Sequence, residues 1–222
     1  MPILWKDLFR ELPFVVEKEA PWSILTALDD FFKSFSNYNL ADWFSRNLDK
    51  VGKVEISGKV YIAEDAQIEN GVTIIGPAYI ASKAIVRQGA YLRGGVYLGE
   101  GAVAGHTTEI KRAVLLKNSH APHFNYVGDS VLGENVNLGA GVKISNFKND
   151  GSVIYIDKID TGLIKAGAFI GDNTKIGCNT VTAPGTIIGK DCFIYPLTFV
   201  RGIIPENSIV KLKPDLEIKV KD

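Results

Sequence analysis

Arg93 and Lys111 stand 18 residues apart, and His123 follows in the run HAPHFNYVGD. Two cations brought side by side make an anion site, because like charges repel unless an anion lies between them. Phosphate is the obvious ligand for such a pair. If the spacing does not bring them together, the same residues are two solvated cations that splay apart. A histidine with an ordinary pKa near neutrality is the natural general base for an amine or hydroxyl nucleophile. The plainer reading of His123 is a loop or packing residue.

Whether 18 residues is a meaningful distance depends on what carries these side chains. Counting by six from Ile56 gives Ile56, Ile62, Ile68, Ile74, Ile80, Val86, Leu92, Leu98, Ala104, Ile110 and Leu116, all aliphatic. In a chain that is 46% hydrophobic, chance gives such a track about 2 times in 10,000 in any one frame. A second track two residues earlier runs from Val54 through Val60, Ala66 and Val72 to Val114, every member small or β-branched. A period of six fits neither helix nor plain strand; it means a short strand and a turn, repeated. Residues two apart share one face of a strand, so both tracks point inward. Three units close a triangular coil of 18 residues, and the next coil stacks on it at strand spacing, ~4.8 Å. This is the hexapeptide β-helix, with Gly71, Gly89, Gly95 and Gly101 near its corners. Arg93 and Lys111 then share one corner.

The frame breaks after Leu116, resumes at Leu132, Leu138 and Ile144, and breaks again over 146–165 before running from Ile170 to Val200. Breaks in a solenoid mark loops that leave the stack, often on the binding face, which directs attention to 117–131 and 146–165. Residues 1–50 differ in character. WSILTALDDFFKSF has helical apolar spacing, and shorter helices are expected near 4–11 and 40–48. The expected organisation is a helical cap over 1–50 on the open end of the solenoid, a β-helix over 51–205 and a polar tail over 206–222. Terminal repeats need such cover.

The chain has 222 residues and no net charge, which argues against a general nucleic-acid binder. No apolar run reaches the ~18 residues of a membrane span, and the N-terminus lacks a signal pattern. Cys178 and Cys192 have no metal-ligand spacing and suit a reducing, cytoplasmic setting. His106, His120 and His123 raise a three-histidine zinc site, as in hexapeptide-fold carbonic anhydrases. Their separations of 14 and 3 residues fit that pattern poorly, and no metal is expected.

The run RGGVYLGEGAVAGHTTEIKRAVLLKNSHAPHFNYVGDSVLGENVNLGAGVKISN, residues 93–146, resembles the acetyltransferase half of the bifunctional N-acetylglucosamine-1-phosphate uridyltransferase/glucosamine-1-phosphate acetyltransferases. It is also similar to the archaeal sugar-1-phosphate nucleotidyltransferases that share that half. YVGDSVLGENVNLGAG carries the resemblance most strongly, and DTGLIKAGAFIGDNTKIG extends it. The resemblance implies a left-handed coil, an exception to the right-handed crossover rule, and a homotrimer with sites between chains. It implies acetyl-CoA as acyl donor and an amino sugar 1-phosphate as acceptor. By position it makes Arg93 and Lys111 phosphate ligands and His123 the base. Tyr126, Asn137 and Asn146 become substrate-site residues, and Ala140 an acetyl-CoA contact. Two positions depart from the pattern. Ser152 stands where the family usually has lysine, so that Lys148, Lys158 or Lys165 would have to reach in. Asp172 stands where a serine often touches acetyl-CoA. Residues for a nucleotidyltransferase half are not in this sequence. The competing expectation is a non-catalytic trimeric scaffold that binds a sugar phosphate or a partner chain.

Overall fold

The computed structural model describes residues 3–47, 52–213 and 217–220. The period of six folds as a left-handed parallel β-helix with three faces, here called A, B and C in chain order. On face C eight strands stack in a row. Faces A and B merge into one 14-stranded sheet, because Tyr91–Leu98 and Glu109–Leu115 bend around the corner between them.

The inner rows follow the sequence track. On face A, Ile56, Ile74, Leu92, Ile110, Val127, Ile144, Thr182 and Val200 stand in register. Most are fully buried, each contributing ~1.5–3 kcal/mol of apolar burial. Of the threonines buried at later inner positions, Thr174 bonds the Gly189 carbonyl and Thr186 that of Ala183, whereas the Thr182 hydroxyl has no partner among the described residues. The B–C corners carry an asparagine ladder in which Asn118, Asn135, Asn173 and Asp191 bond side chain to side chain. Asn118, Asn135 and Asn173 adopt positive φ there, which asparagine tolerates better than most residues.

The coil departs from the expected frame in the fourth turn. Coil three rounds the A–B corner through Gly94 and Gly95, whereas coil four uses Arg112 alone, at φ 44°. Register therefore slips from Arg93↔Lys111 to Val96↔Ala113. Ala113 and Leu115 face the core, and Val114 and Leu116 face outward, the reverse of the count by six. All four are apolar because this face is buried on both sides, so the pattern there loses its alternation. The stretch 117–131 is likewise regular rather than a departing loop, with strands His120–His123, Tyr126–Gly128 and Val131–Leu132. Only 146–165 leaves the stack, as a hairpin of Tyr155–Ile156 against Ile159–Asp160. The coil also continues past Pro205, with Ile209–Val210 as its last rung.

The N-terminal helices do two jobs rather than one. Helix α3 (Leu40–Asn47) sets Trp43 into the solenoid core at the open end, beside Leu40 and Phe44. Helices α1 (Trp5–Leu8) and α2 (Ser23–Ser34) instead lie along the outside of face B. There Leu8, Phe9, Ile24, Leu25, Leu28 and Phe32 cluster with Val114, Val131, Phe169 and Ile187. Phe31 meets Tyr79 and Tyr97 edge-on, on a stack of Tyr61, Tyr79 and Tyr97 with centroids 4.7 and 4.9 Å apart. The expected cap on the open end is thus confined to α3. No helix among the described residues is long and apolar enough to cross a membrane.

Candidate active site

Arg93 and Lys111 are register partners on adjacent coils of face A, at the A–B corner. The stacking expected from the 18-residue spacing is present. Carboxylates hold both cations. Arg93 Nε donates to Glu109 at 2.6 Å, and that bond raises the Arg93 pKa. Lys111 Nζ lies 3.4 Å from Asp129. Asp129 is 1% exposed and also accepts from Arg112, 3.3 Å away, and from Asn146. Arg112 in turn grips Asp29 of α2 at 2.6 Å. Burial works against its charge, and the Asp29 and Asp129 bonds outweigh that, so its pKa is raised.

Tyr126 and Asn146 join the same network through a 3.4 Å bond from the Tyr126 hydroxyl. Burial raises the Tyr126 pKa, and the Asn146 bond opposes the rise, so the phenol is held as a neutral donor. Gly128 sits beneath this pair. A Cβ there would lie 2.6 Å from both the Tyr126 hydroxyl and Asn146 Nδ2, so the glycine of YVGD is a packing requirement. Face A therefore gathers Arg93, Lys111, Tyr126 and Asn146 into one polar surface. Beside it opens a cleft of about 920 Å³, whose walls include Lys59, Tyr91, Arg93, Lys111 and Arg112 and, from α2, Asp29, Phe32 and Lys33.

His123 stands at the C–A corner, at the opposite edge of face A from the two cations. Its ring is exposed, while its backbone is fixed by Asn125 Oδ1 at 3.0 Å and by the Gly141 N–H. His106 is its register partner and bonds the Gln88 carbonyl at 2.8 Å through Nδ1. His120 begins the strand that His123 ends, so the three imidazoles do not converge. Among the described residues no group of three or more His, Cys, Asp or Glu is placed to hold a metal ion.

The remaining expected residues lie on face C. Asn137 pairs in register with His120, away from the face A cluster. Ala140 follows the same strand, next to Gly141, whose N–H bonds the His123 carbonyl. Within one chain the expected site is thus in two parts, four residues on face A and three along the C–A corner and face C. Sequence reading missed Asp129, Glu109, Arg112 and Asp29. A signal for Asp129 was available, since it closes the characteristic run YVGD.

Residues 74–161 match the family model for the GMPPB C-terminal domain, and 167–202 match the bacterial transferase hexapeptide model of six repeats. The chain is 37% identical over 209 residues to a bifunctional sugar-1-phosphate nucleotidylyltransferase/acetyltransferase of Sulfurisphaera tokodaii, covering 89% of this chain and 51% of that protein. It is 41% identical over 205 residues to the bifunctional protein GlmU of Methanococcus maripaludis, covering 90% of this chain and 48% of that protein. The chain is a homologue of the C-terminal half of the GlmU-type bifunctional proteins. It spans about half the length of these relatives. A GDP-perosamine N-acetyl transferase from Caulobacter crescentus, solved with CoA and GDP-perosamine, is 16% identical at a TM-score of 0.30, covering 86% of this chain and 75% of that one.

The two departures from the GlmU-type pattern have definite places in the structure. Lys148 Nζ lies 3.3 Å from Ser152 Oγ and 2.6 Å from the Val153 carbonyl, so an ammonium occupies the neighbourhood of Ser152. Lys165 instead rests over the Phe147 ring. Asp172 is buried at the B–C edge, where it accepts the N–H of Arg10 at 2.9 Å and of Glu134 at 2.8 Å. Its own N–H bonds the Leu8 carbonyl at 3.0 Å. Asp172 therefore fastens the α1 segment to the coil, and its carboxylate is committed to that contact.

Proposed function

We propose that the protein transfers an acetyl group from acetyl-CoA to the amine of a hexosamine 1-phosphate. The observation that carries this reading is the face A cluster, with stacked Arg93 and Lys111 and, beside them, Asn146 at one edge, Tyr126 bonded to Asn146, and His123 at the other edge. The strand that separates the edges is three residues long, ~10 Å, a span that suits a hexose phosphate lying across it. Arg93 and Lys111 hold the phosphate in place of their carboxylate partners and so supply orientation. Tyr126 and Asn146 donate to the sugar.

His123 removes a proton from the amine as its nitrogen attacks the thioester carbonyl carbon. The Ala140 N–H donates to the oxyanion of the tetrahedral intermediate. Collapse breaks the C–S bond, coenzyme A leaves as thiolate, and the proton on His123 passes to it. The ammonium of Lys148 beside Ser152 takes the role that the family gives to a lysine at that position. Asn137 and the face C edge serve a site shared between neighbouring chains of a homotrimer, which unites the two parts of the site.

Free-thiol release from acetyl-CoA with glucosamine 1-phosphate, comparing the wild type with His123→Ala, tests the reading. Turnover that falls at least a hundredfold in the variant, the low end for losing a general base (~10²–10⁴), supports it. Tight phosphate binding without turnover would replace it with the non-catalytic scaffold.

A further inference from the structure

Beneath His123 the coil interior holds an amide where its neighbours are hydroxyls or hydrocarbon. Thr108, Asn125, Val142, Thr180 and Thr198 each stand one residue before a set of register partners on face A, and so form one inner row. All five are buried, Asn125 at 3% exposed. Burying an amide costs free energy unless its polar atoms are bonded. Here both ends are. Asn125 Oδ1 accepts the His123 N–H at 3.0 Å, and Nδ2 donates to the Gly139 carbonyl at 2.8 Å. One partner can only donate and the other only accept, so the amide fits one way round.

The second bond falls on a particular peptide. The Gly139 carbonyl belongs to the same planar trans unit as the Ala140 N–H, and in such a unit the two point in opposite directions. Holding the carbonyl toward Asn125 turns the Ala140 N–H away from it, and among the described residues that N–H has no backbone partner. The other bond to the Gly139 carbonyl, from the Val142 N–H, is 3.4 Å long, so Asn125 supplies the shorter restraint. The ring closes through the Gly141 N–H, which bonds the His123 carbonyl at 2.9 Å. One side chain thus ties the strand end that carries His123 to the turn that carries the Ala140 N–H.

We infer that Asn125 is a positioning residue for the proposed acetyl transfer, its amide setting the base and the oxyanion donor at one fixed separation. The role rests on the reading of His123 and Ala140 given above. A donor aimed before the oxyanion forms costs no reorganisation in the transition state. Asn125 lies at the opposite edge of face A from Arg93 and Lys111, so its effect belongs to the chemical step and not to phosphate binding.

Two variants of nearly equal size separate a positioning role from a packing one. Asn125→Val installs the residue type that the row carries at Val142 and removes both bonds. Asn125→Thr carries a hydroxyl able to reach the next coil's carbonyl, as Thr180 of the same row reaches that of Tyr195 at 3.2 Å. Thiol release from acetyl-CoA with glucosamine 1-phosphate gives kcat, expressed per site counted by calorimetric titration with that sugar phosphate, so that any unfolded fraction drops out. In Asn125→Val kcat should fall ~10–100-fold, part of the ~10²–10³ that loss of an oxyanion donor costs, with KM for the sugar phosphate unchanged. Asn125→Thr should recover most of that loss. A valine variant with wild-type kcat per site, or valine and threonine variants equally impaired, overturns the inference. Absence of thiol release by the wild type is a separate result, and sinks the acetyl-transfer reading and this role with it.

Discussion

Replacing Asp129 by Asn tests the electrostatic centre of face A. Asp129 is 1% exposed and accepts from Lys111, Arg112 and Asn146. The amide has one acceptor oxygen and an NH₂ group, so at least one of the three donors faces another donor. Removing one partner of a buried pair costs ~3–5 kcal/mol. Lys111 and Arg112 are each 23% exposed and regain some hydration, which lowers the expected loss to about 2–3 kcal/mol. At ~2–4 °C per kcal/mol for a protein of this size, the melting temperature should fall by roughly 4–12 °C. Thermal unfolding followed by circular dichroism measures this. Inorganic phosphate should then stabilise the variant more than the wild type, because the freed cations take the anion in place of the carboxylate. An unchanged melting temperature, or equal stabilisation by phosphate in both proteins, would refute the reasoning.

Three further outcomes follow from the same geometry. Gly128→Ala puts a methyl group 2.6 Å from Tyr126 and Asn146; an overpacking loss of about 1–3 kcal/mol and a raised KM for the sugar phosphate should appear in unfolding and steady-state assays. Asp172→Ala removes the acceptor for the Arg10 and Glu134 amides, so limited proteolysis should cut the segment before α2 faster than in the wild type. Burial raises the Asp172 pKa against the opposing amide bonds, so the native state binds this proton more readily than the unfolded chain. The carboxyl's contribution to stability is then fullest below ~pH 4, its ordinary value, and is lost as pH rises through the raised pKa. Wild type should lose stability relative to Asp172→Asn across that interval, as pH-dependent denaturant titration would show.

The coil was legible because its physics is periodic. One inward aliphatic position in every six leaves a mark that composition cannot imitate, and Ile56 to Ile110 face inward as that mark requires. The slip at Arg112 left none, since Ala113, Val114, Leu115 and Leu116 are all apolar and either pair suits the core. That ambiguity has the same cause as the misplaced helices. Face B is apolar on its outside as well, and the outer row from Tyr79 to Ile187 is what α1 and α2 cover. Reading that row as a docking surface would have set them along the flank rather than over the open end. Arg93 and Lys111 were legible from spacing and register. Asp129 was passed over although it closes YVGD, because a carboxylate reads as a turn residue until the cations around it are known.

The reaction proposed is acetyl transfer to an amine held on face A. Its most direct test is incubation with isotopically labelled acetyl-CoA and a hexosamine 1-phosphate, followed by mass spectrometry of the acceptor. Label should appear on the amine nitrogen with the wild type and be almost absent with His123→Ala. An unlabelled acceptor from wild-type protein that binds it, or labelling that His123→Ala leaves intact, would contradict it.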